Sequence, residues 1–186
     1  YVNLGEFYDI AAAKTAREDI VRRTEEGSAA YRRAYRALAA ARQMEESASA
    51  LAAEGLDPAK LLRRTGGIIG REIRGKGSGG EERFRFLGSL TCKGPIWRFD
   101  TVDALCPRVY ELQDPYGLAW PMLERIRAAA KARGFAAVVC PDPEHPDRTQ
   151  HLPLPELGLA FVTSRDGMAY PGGAFRRVRM EPILLP

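Results

Sequence analysis

Cysteine and histidine are scarce in this chain of 186 residues, which contains three cysteines and two histidines. Cys92, Cys106 and Cys140 are odd in number and far apart, which argues against a disulfide framework and favours a reducing cytoplasm. Cys140, His145 and His151 form the only Cys/His cluster in the sequence, and both histidines are expected to be solvent-exposed in a proline-rich loop. Because a structural zinc site needs four ligands at tighter spacing, we expect no bound metal.

Long apolar runs are also absent. No segment approaches the roughly 18 apolar residues of a membrane-spanning helix, so we expect no membrane association. The opening nine residues, YVNLGEFYD, have neither a basic start nor an apolar stretch, which predicts no signal peptide. The first residue is not Met, which suggests a piece of a longer protein. Together these features predict a cytoplasmic protein.

The charge of the chain is nearly balanced. Apolar residues make up 45% of the sequence and charged residues 28%, and the net charge is +4. This small excess is evenly spread, whereas a dedicated nucleic-acid binder usually concentrates its positive charge. Two groups of arginines nevertheless leave a nucleic-acid-binding module open as an alternative. They are Arg22, Arg23, Arg32, Arg33 and Arg36 in the predicted helices, and Arg176, Arg177 and Arg179 near the end.

Residues 1–74 are predicted to form a helical region. Residues 6–54 are rich in Ala, Arg and Glu, and apolar side chains between Tyr31 and Leu51 recur at steps of three and four. A break at Gly27 and Ser28, with Ser28 as N-cap of the second helix, predicts an antiparallel helical hairpin.

A third helix and a linker are predicted to follow the hairpin. Asp57 is a suitable N-cap, and Pro58 suits the first helical position. The glycine-rich segment GKGSGGEE, residues 75–82, predicts a flexible linker.

Residues 83–186 are predicted to form an α/β domain. Nearly continuous apolar strands around one strong helix, residues 116–133, are typical of a small, mostly parallel sheet with flanking helices. The predicted strands are 83–87, 109–112, 136–140, 157–163 and 176–183.

The segment RVYELQDPYGLAWPMLERI, residues 108–126, predicts a strand, a turn and a helix, which is the frame of a phosphate-binding loop. The positive end of the helix could still attract an anion weakly. However, Ala119 and Trp120 stand where such a loop has Lys and Ser or Thr. From these residues, an ordinary strand–turn–helix and a nucleotide-related scaffold both stay open. The loop consists of Asp114, Pro115, Tyr116, Gly117, Leu118, Ala119 and Trp120.

Four short motifs surround this loop in a fixed order. The first is a Phe-x-x-Ser-x-Thr-x-x-Gly segment at Phe86, Ser89, Thr91 and Gly94, and the second is a Cys-Pro turn with a further proline at Cys140, Pro141 and Pro143. The third is a Pro-Glu-Leu segment at Pro155, Glu156 and Leu157, and the fourth is a Tyr-Pro-Gly segment at Tyr170, Pro171 and Gly172. With these motifs, the chain resembles the second, degenerate half of an uncharacterised bacterial family of tandem P-loop ATPases. The resemblance covers nearly the whole chain.

The resemblance implies a P-loop NTPase-like fold that has lost its catalytic groups. The family's Lys position falls on Ala119, its Ser/Thr position on Trp120 and its metal-binding acid on Thr163. Losing these groups together removes most of the electrostatic compensation that phosphoryl transfer needs. We therefore expect no hydrolysis, no cofactor, and a structural or regulatory role beside an active ATPase half or, through the helical region, a second copy.

An ATP-binding domain with residual activity, holding ATP and Mg²⁺, is the other alternative. A Lys or Arg that reaches residues 116–119 would favour it.

Overall fold

The computed structural model describes residues 4–183, so residues 1–3 of the predicted helical region and residues 184–186 lie outside the described part. The chain divides into two units, residues 1–45 and 46–186. The helices are α1 (Ile10–Thr15), α2 (Arg17–Glu54), α3 (Pro58–Glu72), α4 (Phe99–Leu105) and α5 (Trp120–Ala132). The strands are β1 (Glu82–Phe84), β2 (Gly88–Thr91), β3 (Gly94–Trp97), β4 (Arg108–Gln113), β5 (Ala137–Pro141), β6 (Thr149–Leu154), β7 (Leu159–Ser164) and β8 (Arg176–Arg179).

Six of the strands form one sheet in the order β1-β5-β6-β7-β4-β8. β1 pairs in parallel with β5, and β4 pairs in parallel with both β7 and β8, while β6 is antiparallel to both of its neighbours. β2 and β3 form a separate antiparallel hairpin. The predicted α/β class with a mostly parallel sheet and flanking helices is therefore confirmed.

Helix α2 is continuous, so the predicted helical hairpin is wrong. The helix runs through Gly27 and Ser28, and the interruption lies instead at Ala16, between α1 and α2. A glycine in a helix costs about 1 kcal/mol relative to alanine, and strong helix formers on both sides offset this cost. The Arg22–Glu26 ion pair, at 3.0 Å, adds support one turn before the glycine. A good N-cap residue such as Ser28 starts a helix only where the preceding residues leave the helical conformation.

Helix α3 begins as predicted and packs against the sheet of the second unit. The Asp57 side chain accepts a hydrogen bond of 2.9 Å from the backbone N–H of Lys60, and Pro58 occupies the first turn. Leu61 and Ile68 are buried in the same apolar cluster as the inward face of α5. The core of the second unit therefore includes a helix that the sequence groups with residues 1–74.

The other face of the sheet carries a second apolar cluster. It contains Phe99 and Val102 from α4, together with Val109 and Val162 from the neighbouring strands β4 and β7. The β2–β3 hairpin contributes Trp97 to this face. The sheet is thus covered on both sides, which explains why β6 and β7 are buried along their entire length.

The glycine-rich segment 75–82 is hydrogen-bonded to the sheet domain. The backbone N–H of Gly77 donates to the Arg133 carbonyl at 2.7 Å, and the Ser78 hydroxyl donates to the Glu156 carboxylate at 3.1 Å. A Cβ on Gly80 would lie 2.4 Å from the Cβ of Ala136, so this close approach requires glycine. Glu82 then begins strand β1.

Four predicted elements are shorter than expected, and the first of them is the strand predicted over residues 83–87, which is β1 (Glu82–Phe84). Helix α5 begins at Trp120 rather than at residue 116, because the residues before it form the turn described below. The Pro-Glu-Leu segment is a single 3-10 turn, Pro155–Leu157, and β7 begins after Gly158. The last strand ends at Arg179, and Glu181–Ile183 forms another 3-10 turn. Among the helices described, none combines the length and apolar content that crossing a membrane requires.

Candidate functional site

The 114–120 loop lies where the interior strand β4 ends and helix α5 begins. β4 is flanked by β7 and β8, and all three strands point in the same direction. The backbone N–H of Asp114 donates to the Ser164 carbonyl at 2.8 Å, which fixes the start of the loop against the end of β7. Carboxyl ends of parallel strands are the usual place for a ligand in an open α/β sheet.

A carboxylate from the chain itself occupies the backbone donors of this loop. One oxygen of Asp114 accepts from the Leu118 N–H at 2.7 Å, and the other accepts from the Ala119 N–H at 2.8 Å. Asp114 is 4% exposed. A phosphate bound at a helix N-terminus uses backbone N–H groups of this kind. The anion position of the loop is therefore filled internally.

The electrostatic environment of Asp114 combines opposing effects. Burial raises the pKa of the Asp114 carboxyl above its ordinary value, while the N–H groups of Ala119 and Leu118 and the charge of Arg165 act in the opposite direction. The buried carboxyl is thus held by two hydrogen bonds and a neighbouring cation.

Sequence reasoning did not place Arg165 near the loop. It follows β7 directly, and its Nη1 lies 3.7 Å from the point where a Cβ on Gly117 would stand. An arginine therefore does reach residues 116–119. The sequence shows only that Arg165 is an arginine immediately after a strand. Placing it near the loop requires knowing that β7 lies beside β4.

The three positions where the resembled family has catalytic groups are occupied differently. Ala119 is fully buried in the apolar core between α5 and the sheet. Trp120 is partly exposed, and the guanidinium carbon of Arg148 lies 5.5 Å from its ring centroid. Thr163 lies opposite Leu112 in the sheet, and its buried hydroxyl has no hydrogen-bond partner within residues 4–183.

The remaining residues of the loop carry no charged side chain. Pro115 and Tyr116 are exposed, while Leu118 is buried. Gly117 has φ +69°, a backbone conformation that favours glycine. The chain therefore turns tightly enough for a side chain at its start to bond backbone groups at its end.

ATP with Mg²⁺ does not fit the loop while the Asp114 carboxylate occupies its two backbone donors. The two backbone donors are engaged by Asp114, and the loop has no lysine for the β- and γ-phosphate oxygens. Trp120 presents a ring where a metal-binding hydroxyl would be needed. No chemical step with a nucleotide is therefore assigned to the loop.

The structure does not arrange Cys140, His145 and His151 as one group of ligands among the described residues. Cys140 and His151 are cross-strand neighbours, but His145 lies 3.8 Å from Glu46. Within the described residues, no group of three or more His, Cys, Asp or Glu side chains could hold a metal ion.

The expectation that both histidines are solvent-exposed is wrong for His151. This residue belongs to β6 and is fully buried between Trp97 and Phe99. Burial, with a contribution from Arg165, lowers the pKa of His151 to about 3, so its ring is neutral. Its Nδ1 accepts the backbone N–H of Thr163 at 3.2 Å.

Both arginine groups contain members that are paired with acids, since Arg177 binds the Glu111 carboxylate at 2.8 Å. Arg22 and Arg23 bind the carboxylate of Asp19 on their own helix. Arg176, Arg177 and Arg179 lie on β8, which is an edge strand. The first group is thus partly neutralised within α2.

Comparison with known proteins gave no match to any family model, curated protein or solved structure.

Proposed function

We propose that residues 83–186 form a degenerate P-loop NTPase-like domain that does not hydrolyse nucleotide and has a structural or regulatory role within a tandem ATPase. The observation that carries this proposal is the position of Asp114, whose carboxylate accepts the N–H groups of Leu118 and Ala119. A loop that supplies its own anion keeps the strand–turn–helix frame without needing a ligand.

Charge supports the same proposal. A triphosphate would have to approach a buried carboxylate, and like charges in a poorly solvated place repel strongly. Arg165 supplies one positive charge near the loop, and that charge already acts on Asp114. Displacing the carboxylate would also require it to find new hydrogen-bond partners or return to water.

Calorimetric titration of the full chain with Mg·ATP, together with an assay for released phosphate, tests the proposal. We expect no binding in the micromolar range and no turnover. Micromolar binding with measurable phosphate release would refute it. Asp114→Asn is the matched variant, because it removes the negative charge at constant size and shows whether charge alone excludes the nucleotide.

Residual ATP binding is the second candidate, and the position of Arg165 favours it. In this hypothesis the Arg165 guanidinium, rather than a lysine, contacts the phosphates. Binding of Mg·ATP by the wild-type chain that is lost in Arg165→Ala, with an unchanged far-ultraviolet spectrum, would support this candidate against the first.

The partner of such a domain would be an active ATPase half or, through the helical region, a second copy of the chain. Exposed apolar side chains on α2, at Tyr31, Tyr35 and Met44, support a contact of this kind. Sedimentation velocity of the wild-type chain and of a double variant, Tyr31→Ser with Tyr35→Ser, distinguishes these two partners. Self-association that the substitutions abolish favours the second copy, while a monomeric wild-type chain leaves the ATPase half as the partner.

A further inference from the structure

A cavity of about 720 Å³ lies at the carboxyl ends of β4 and β8. Its size falls within the usual range of small-ligand sites. The residues that line it are Arg64, Glu111, Gln113, Tyr170, Arg177 and Arg179. Three of these six residues are arginines, and one of them comes from helix α3 rather than from the sheet.

One of the three arginines is held in place by a buried acid. Glu111 is 7% exposed and accepts Arg177 Nε at 2.8 Å on one oxygen and the Ser164 hydroxyl at 2.7 Å on the other. This arrangement neutralises one positive charge and fixes the guanidinium at the cavity wall. Arg177 can still donate from its terminal nitrogens.

The other two arginines have no such compensation. Arg64 Nη1 donates to the backbone carbonyl of Arg179 at 2.8 Å, and a carbonyl carries no net charge. The structure assigns neither Arg64 nor Arg179 an acidic partner among residues 4–183. Two exposed guanidinium groups therefore face the same cavity with their charge available.

The positive surface continues around the edge of the sheet. A second cavity, of about 260 Å³, shares Arg64 and Arg177 with the first and adds Arg71 and Arg176. Alternate side chains of β8 point to opposite faces, so the strand itself carries arginines to both cavities. A ligand with more than one anionic group can contact both.

We propose that this edge of the sheet binds a ligand with two or more phosphate groups, with Arg64 and Arg179 as the principal contacts and Arg177 as a fixed third donor. Guanidinium groups donate two parallel hydrogen bonds to phosphate oxygens, which makes arginine the suitable residue for such a ligand. The site is separate from the 114–120 loop and does not depend on the function proposed for that loop. The phosphates belong either to a free oligophosphate or to the backbone of a nucleic acid.

The experiment measures binding of tripolyphosphate to the full chain by calorimetry at low salt, because salt screens exposed charges. We expect saturable binding that weakens at least tenfold in Arg179→Ala and in Arg64→Ala. Arg179→Lys keeps the charge and should recover part of the affinity. The matched control is Arg125→Ala, which removes an exposed arginine of α5 outside both cavities and should change binding less than twofold.

A second arm uses a fluorescently labelled single-stranded DNA oligonucleotide, and circular dichroism verifies that every variant is folded. If only tripolyphosphate binds, and Arg64→Ala weakens that binding, the ligand is a free oligophosphate. If only the oligonucleotide binds, and Arg64→Ala weakens that binding, the ligand is the backbone of a nucleic acid. If neither probe binds the wild-type chain, the proposal is wrong. Binding that Arg179→Ala and Arg64→Ala leave unchanged, or that Arg125→Ala weakens equally, also overturns it.

Discussion

Asp114 stabilises its loop because a buried backbone N–H group must have an acceptor. The N–H groups of Leu118 and Ala119 lie at the start of α5, where a helix cannot supply carbonyls to its own donors. The carboxylate satisfies both with one side chain, at the cost of burying a charge. The same two bonds that stabilise the fold therefore also remove the donors that a phosphate would use.

Replacing Asp114 with alanine should destabilise the second unit by about 1–3 kcal/mol, since two buried donors lose their partner. Asp114→Asn should cost less, because its amide oxygen can still accept one N–H. Urea unfolding followed by tryptophan fluorescence measures both values. Asp166→Ala, at an exposed position, is the control and should change stability little. An Asp114→Ala protein as stable as wild type would contradict the role given to the carboxylate.

Glu82 makes stability depend on pH. Hydrogen bonds from Arg127 hold the pKa of the Glu82 carboxyl below its ordinary value, burial opposes this, and Lys131 adds to it. A lowered pKa in the folded state means that the folded protein binds fewer protons than the unfolded chain. The contribution of Glu82 is therefore fully present above the unfolded pKa of about 4.5 and is lost as the pH falls through the folded pKa.

The free energy of unfolding should thus decrease as the pH is lowered below about 4.5, and Glu82→Gln should reduce the steepness of that decrease. At pH 7 the same substitution should cost about 1 kcal/mol, because it removes a charged acceptor from Arg127. Urea unfolding at a series of pH values between 3 and 7 measures both effects. Glu81→Gln, at an exposed neighbouring position, should follow the wild-type pH profile. Identical acid profiles for Glu82→Gln and wild type would argue against this assignment.

At the level of elements, apolar runs identify β4, β5 and β7, but they do not identify β6. β6 contains Gln150, His151 and Pro153, residue types that usually indicate a loop. It is nevertheless buried along its length, because it is an interior strand covered on both faces. The break expected at Gly27 is absent because strong helix formers on both sides of this glycine continue the helix.

Proline at position 29 tests the continuity of α2. In a continuous helix, Ala29→Pro removes an internal hydrogen bond and clashes with the preceding turn, which costs about 3 kcal/mol. In a hairpin with Ser28 as N-cap, the same proline would occupy the first helical position and be tolerated. Amide hydrogen exchange across α2 measures the effect, with Ala29→Gly as a milder reference of about 1 kcal/mol. We expect the proline variant to lose protection on both sides of residue 29, and unchanged protection would favour the hairpin.

For the whole molecule, the position of the candidate loop could be predicted from sequence, but its surroundings could not. The strand, turn and helix at 108–126 are contiguous in the chain, and local pattern predicts them. Arg165 reaches Gly117 only because β7 pairs with β4, and Arg64 contacts Arg179 across 115 residues of chain. These contacts follow from strand order and from the packing of α3, which no local pattern contains.

The two units should also differ in stability. No residue of α2 is buried, and isolated helices are only marginally stable in water, whereas residues 46–186 contain both apolar clusters of the described chain. Trypsin should therefore cleave the full chain first at arginines of the first unit, such as Arg23, Arg33 and Arg36, because cleavage requires local opening. Mass spectrometry of the early products should find a large fragment that contains β4 to β8, and this fragment should keep the thermal unfolding transition of the intact chain.

The same digestion in urea, where both units are unfolded, provides the control. Early cleavage at Arg108 or Arg165 at a rate equal to that in the first unit would mean that the two units open together, and that the burial of side chains does not determine where this chain unfolds first.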